Sequence, residues 1–119
     1  MMAARPPPMS PDRVERELRE GVASGAIAFT KGADLDLVIG IYRRGFVAAI
    51  EEGPELLFYD YLGWGDEVVP TVVEAVEYFK AHRTRPDEAK FFNFNNNAFT
   101  DEGKRALKAA AGGEVVVMV

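Results

Sequence analysis

The stretch that decides the fold occupies residues 92–107 and reads FNFNNNAFTDEGKRAL. Phenylalanine and asparagine alternate at its start, and this two-residue period is typical of a β-strand with one buried face. The pair Asn96-Asn97 is a turn signal that ends the strand. Thr100 is a good helix cap, and Asp101-Glu102 place negative charge where the start of a helix favours it. The stretch therefore predicts a strand followed by a helix.

The same kind of pattern predicts the other elements. Val14, Leu18 and Val22 recur every four residues and mark one apolar face of a first helix. The continuous apolar run Val115–Val119 is typical of a strand buried on both faces. The predicted helices cover 11–24, 34–52, 68–81 and 101–111, the predicted strands cover 56–60, 91–95 and 115–119, and Ala26–Lys31 is left open between a short strand and a connection.

From residue 55 onward the predicted order is strand, helix, strand, helix, strand. This order favours parallel strands joined by crossover helices. The expected fold class is α/β, with a short parallel sheet of about three strands and helices on one side. We expect a flexible Pro-rich tail at 1–9 and a single domain over 10–119.

Two parts of the chain are similar at a fixed offset of 35 residues, since Leu57–Val76 aligns with Phe92–Ala111. Apolar positions fall on apolar positions, and Trp64 falls on Phe99, which predicts that its ring lies in the core. The acidic pair Asp66-Glu67 falls on the helix-start pair of the second unit. Self-similarity of this length is characteristic of repeat architectures.

The second unit resembles a leucine-rich repeat of the ribonuclease-inhibitor type. That family's pattern is apolar-x-apolar-x-x-Asn-x-apolar, then Thr/Gly-Asp-Glu-Gly, then a helix that carries Ala-Leu. Here phenylalanines replace leucines, Asn97 takes the asparagine position, and Ala106-Leu107 lie on the helix. The first unit departs from the pattern, because Leu62 replaces the asparagine and Val68 replaces the glycine.

The resemblance spans about two degenerate repeats, over residues 56–111, and implies an arc with the N-terminal helices as its cap. The Asn97 side chain, with both donors and an acceptor, is expected to bond backbone groups where the chain leaves the strand. Gly103 is expected to permit a tight turn or close packing. A small βαβαβ domain unrelated to repeats predicts the same elements and stays open.

Composition excludes several classes of protein. The chain has 119 residues and no cysteine, so disulfides and thiolate metal sites are absent. A net charge of -5 argues against nucleic acid, which needs a basic surface. No apolar run approaches the roughly 20 residues of a membrane helix. We expect a soluble intracellular protein, in the cytoplasm, with no membrane partner.

The sequence shows no arrangement of residues typical of catalysis. His82, the one histidine, sits among basic residues near a predicted helix end and is expected to be solvated. No nucleophile elbow, Walker loop or GxGxxG is present. The paired carboxylates are interpreted as helix-start residues rather than as a general acid and base. We therefore expect no enzyme, and no catalytic, cofactor-binding or metal-binding residues.

The exposed strand face is the predicted functional surface. Its candidate contacts, in a non-catalytic protein–protein interaction or scaffolding module, are Phe58, Asp60, Tyr61, Asn93, Asn95 and Asn96. The alternative is a small-ligand-binding or enzymatic site at the carboxyl ends of the strands, around Asp60, Trp64, Asp66 and Asn95–Asn97. A homo-oligomer or a subunit of a larger assembly is a third interpretation, because a sheet of three strands has two open edges.

Overall fold

The computed structural model describes residues 6–28 and 33–119 and contains a three-stranded sheet with helices beside it. The helices are α1 Pro11–Ser24, α2 Ala33–Glu52, α3 Val69–His82 and α4 Asp101–Ala111, and the strands are β1 Leu56–Phe58, β2 Phe91–Asn93 and β3 Val116–Met118. A short 3-10 helix, Asp66–Val68, leads into α3. The α/β fold class predicted from the sequence is confirmed.

All three strands are parallel and follow the order β1-β2-β3. Leu57 of β1 pairs with Phe92 of β2, so the offset between the two aligned units is also the register of the sheet. The regular strands are shorter than predicted. Past their ends the chain turns, and Tyr61 (φ 55°) and Asn96 (φ 59°) adopt the left-handed backbone at equivalent positions of the two units.

The core lies between the sheet and the helices. Side chains that alternate inward from the strands, such as Phe92 and Phe94, contact a cluster that includes Phe79 of α3 and Leu107 of α4. Trp64 is 3% exposed and belongs to the same cluster, which confirms its predicted place in the core. Among the described residues the helices pack against this face, and on the opposite face Phe58 and Val116 are exposed.

Helix α1 begins as its sequence predicts, because the Ser10 side chain accepts a hydrogen bond from the Arg13 backbone N–H. It ends at Gly25, whose φ of 79° suits glycine. Arg13 Nε lies 2.7 Å from a carboxylate oxygen of Glu74 on α3, so this ion pair connects α1 to α3.

The segments beside the first helix form no regular elements. Residues 6–10 have none, although the Tyr42 hydroxyl donates to the Met9 carbonyl at 2.6 Å. Residues 26–28 are neither helix nor strand, and the rest of the open segment Ala26–Lys31 lies outside the described residues.

Candidate interaction surface on the strands

The open face of the sheet is built by every second residue of each strand. Register places Phe58, Asn93 and Met118 in one row across the sheet, and residues 56, 91 and 116 in the row before it. Backbone pairing continues beyond the regular strands, since the Tyr61 N–H donates to the Asn95 carbonyl at 3.3 Å. The alternation therefore carries Asp60 and Asn95 onto the same face.

The structure brings the six predicted contact residues to one side of the molecule. Phe58, Asp60, Asn93 and Asn95 share the outer face, and Tyr61 and Asn96 follow directly at the carboxyl ends of their strands. Phe58 is 60% exposed and Tyr61 is 75% exposed, so much of each side chain is accessible to solvent. We refer to these six residues together with Leu56, Phe91, Val116 and Met118 as the strand face.

The sequence interpretation missed those last four residues, which together with Phe58 make half of the face apolar. Val115–Val119 was predicted to be buried on both faces, and this is wrong, because Val116 is 45% exposed. The physical reason is that helices cover one side of β3 only. Alternation in register with Phe58 was the available signal, since Leu56 precedes it by two residues and pairs with Phe91.

Asn97 holds the two units together at the carboxyl edge of the sheet. Its Oδ1 accepts from the backbone N–H groups of Leu62 (3.0 Å) and Trp64 (3.1 Å). Its Nδ2 donates to the carbonyls of Tyr59 and Phe94, both at 2.9 Å. The predicted role of this amide is confirmed, and it satisfies the turns of both units at once.

A second contact joins the units at the start of α4. The Thr100 hydroxyl and backbone N–H both donate to the Asp66 carboxylate, and the same hydroxyl accepts from the Gly103 N–H. A methyl group on Gly103 would lie 2.5 Å from Asp66 Oδ1, so glycine permits this close approach, as predicted. The bonds from the Thr100 side chain and backbone hold the pKa of Asp66 below its ordinary value.

Five surface pockets of about 240–420 Å³ lie in the described part of the chain, and none of the five is lined by a strand-face residue or by Asp66. Their walls are mostly helix and loop residues. His82 stacks on the Tyr78 ring with centroids 4.0 Å apart, and its Nδ1 lies 3.0 Å from the Tyr78 carbonyl oxygen. The surface at the strand ends therefore offers contact area rather than a cavity.

Neither a metal-binding cluster of side chains nor a helix that could span a membrane is present among the described residues. Within 6–28 and 33–119, no group of three or more His, Asp or Glu side chains is placed to hold a metal ion. Among the helices of the same residues, none is long and apolar enough to cross a membrane.

Comparison with known proteins gives no match to a family model, to a curated protein or to a solved structure.

Proposed function

We propose that this chain is a non-catalytic protein–protein recognition or scaffolding module that binds its partner through the strand face. The single observation that carries the proposal is the composition of that open surface. Exposed Phe58, Tyr61 and Val116 stand beside Asn93 and Asn95 on one sheet. Aromatic and apolar anchors with a polar margin are the composition that protein interfaces favour.

The contacts between the two units support a leucine-rich-repeat-like origin of the surface. The strand register, the Asn97 amide and the approach of Asp66 to Gly103 each join equivalent parts of neighbouring units. In repeat architectures each unit contacts its neighbours in this way, and the stacked strands form an extended binding surface. A rigid surface loses little conformational entropy when it binds.

The shape of the surface favours a macromolecular partner over a small ligand. Small-molecule sites are concave and bury most of their ligand. The carboxylates that the alternative interpretation needs are placed otherwise: Asp66 is bonded to Thr100, and neither it nor Asp60 lines a described pocket. An open sheet face of three strands can instead accept a segment or a flat patch of another protein.

Affinity capture with matched surface variants tests the proposal. The first bait carries Phe58→Ser and Asn95→Ala on the strand face. The control bait carries Leu37→Ser and Ile41→Ser on α2, where the two side chains are 58% and 56% exposed and thus resemble Phe58 at 60%. Both sets of substitutions remove exposed contact area. Circular dichroism and thermal unfolding verify, before capture, that each bait is folded.

We expect the wild type and the α2 control to retain the same partner and the strand-face variant to lose it. If the strand-face variant retains the partner and the α2 control loses it, the interface lies on the helical side and the proposal is wrong. Light scattering on the free chain tests the homo-oligomer version, in which the retained partner is a second copy.

A further inference from the structure

One carboxylate of the strand face has no bonding partner among the described residues. Asp60 makes no hydrogen bond and no ion pair with them. Other half-buried carboxylates of the chain are engaged, as when Asp66 binds Thr100 and Glu74 binds Arg13. Asp60 is itself half-buried rather than fully solvated, so an opposite charge brought to it would be screened less than at an open surface.

The strand face carries no positive charge. The ten residues of the strand face include no lysine and no arginine, and the whole chain carries a net charge of -5. Lys90 lies at the opposite, amino end of the strands, where it is buried and its Nζ donates to the carbonyls of Gly53 and Pro54, both at 3.1 Å. A cation for Asp60 must therefore come from outside the strand face.

Tyr61 places an aromatic ring directly after this carboxylate. Its backbone has a φ of 55°, a conformation that is uncommon for a bulky residue, and its side chain is 75% exposed. Neither burial nor the turn requires tyrosine here, because the equivalent Asn96 makes the same turn with a φ of 59°. An exposed ring on the residue that follows a carboxylate suits a guanidinium, which forms ion pairs and also stacks on aromatic faces.

We infer that the partner presents an arginine, or less favourably a lysine, to Asp60 and Tyr61, together with apolar side chains for the other end of the strand face. This inference rests on the proposed function. Asp60 is four residues from Leu56, so the cation and the apolar row are separated by about 13 Å. An extended basic segment would therefore carry its apolar anchor about four residues from its arginine.

Selection from a random peptide library can identify such a segment directly. Phage-displayed 16-residue peptides are selected on the full chain and depleted on the Phe58→Ser/Met118→Ser variant. The peptides that survive are synthesised, and their affinities are measured for the wild type, for Asp60→Asn and for Glu77→Gln. Glu77 is exposed on α3, on the helical side, and provides the same change of charge away from the strand face.

We expect the enriched peptides to share an arginine or lysine at a fixed distance from an apolar residue. Asp60→Asn should weaken them about fivefold, and Glu77→Gln should leave them unchanged. Tyr61→Phe should bind nearly as well as the wild type, whereas Tyr61→Asn, which suits the backbone and lacks the ring, should bind more weakly.

Two results would overturn the inference, and they differ in whether the proposed function survives. In the first result, the selected peptides depend on Phe58 but carry no cation, or they bind Asp60→Asn as well as they bind the wild type. This would refute the inference of a basic partner, while the strand face would remain the interface. If no peptide distinguishes the wild type from the Phe58→Ser/Met118→Ser variant, the inference and the proposed function both fail.

Discussion

Replacing Asn97 with alanine tests whether one amide joins the two units. The wild-type side chain makes four bonds of 2.9–3.1 Å, with the N–H groups of Leu62 and Trp64 and the carbonyls of Tyr59 and Phe94. Each bond is worth about 1 kcal/mol net. Water can satisfy part of this half-buried turn in the variant, so we expect Asn97→Ala to lower the free energy of unfolding by about 2–3 kcal/mol.

Urea unfolding followed by fluorescence gives the measurement, because Trp64 is the chain's one tryptophan, is 3% exposed and bonds to Asn97. With a slope of about 1.5 kcal/mol per molar urea, the midpoint should fall by about 1.3–2 M. The matched control is Asn96→Gly, which removes an exposed neighbouring amide and suits the φ of 59°. We expect this control to change stability by less than about 0.5 kcal/mol.

A loss below about 1 kcal/mol in Asn97→Ala would refute the reasoning, because the backbone groups would then be satisfied as well without the amide. An equal loss of stability in Asn96→Gly would also refute the reasoning, because the loss would then come from a change in the turn and not from the missing Asn97 bonds.

Three further predictions concern the neighbouring turns. Gly103→Ala should destabilise the wild type by about 1 kcal/mol, because the added methyl group contacts Asp66. In an Asp66→Ala background the same change should be stabilising, because alanine has a higher helix propensity than glycine. A double-mutant cycle that shows no coupling between the two positions would contradict this. Because the pKa of Asp66 is lowered by Thr100, its contribution to stability is present above the ordinary value of 3.8 and is lost as the pH falls below it. Urea midpoints from pH 5 to pH 2.5 should therefore fall more steeply for the wild type than for Asp66→Asn, and parallel curves would count against the Thr100 bonds. Tyr61→Asn should raise the free energy of unfolding by about 1 kcal/mol, because asparagine tolerates the positive φ; an unchanged thermal midpoint would show that the tyrosine carries no strain.

Local patterns predicted the elements of this fold well. Ser10 and Pro11 mark the start of α1, and Thr100 and Gly112 bound α4, because these residues satisfy or terminate helix backbone groups whatever surrounds them. The 35-residue offset of the self-similarity equals the register in which Leu57 pairs with Phe92. Where the strands stop was harder to predict, since that depends on the backbone of Tyr61 and its equivalent.

The sequence predicted six residues of the candidate surface and missed four apolar ones. Alternating Phe and Asn in β2 reveals which side chains point outward, because the two faces differ in polarity there. In β3 every residue from Val115 to Val119 is apolar, so alternation carries no information about exposure. Which side of that strand the helices leave open is set by the fold, and Val116 and Met118 could be assigned to the surface only from the structure.

The shared offset of the contacts between the two units means that the chain can be lengthened by one unit with two substitutions. Strand pairing, the Asn97 bonds and the Asp66–Thr100 bond all connect one unit to the next, at separations of 33 to 38 residues. A copy of residues 63–97 inserted after Asn97 would keep the strand register and the Asn97 bonds. Within the copy, Gly65→Thr and Val68→Gly would be needed to give Asp66 of the first unit its hydroxyl donor and its close approach. We expect such a chain to gain one helix and one parallel strand, and its binding surface to widen by one strand spacing of about 4.8 Å.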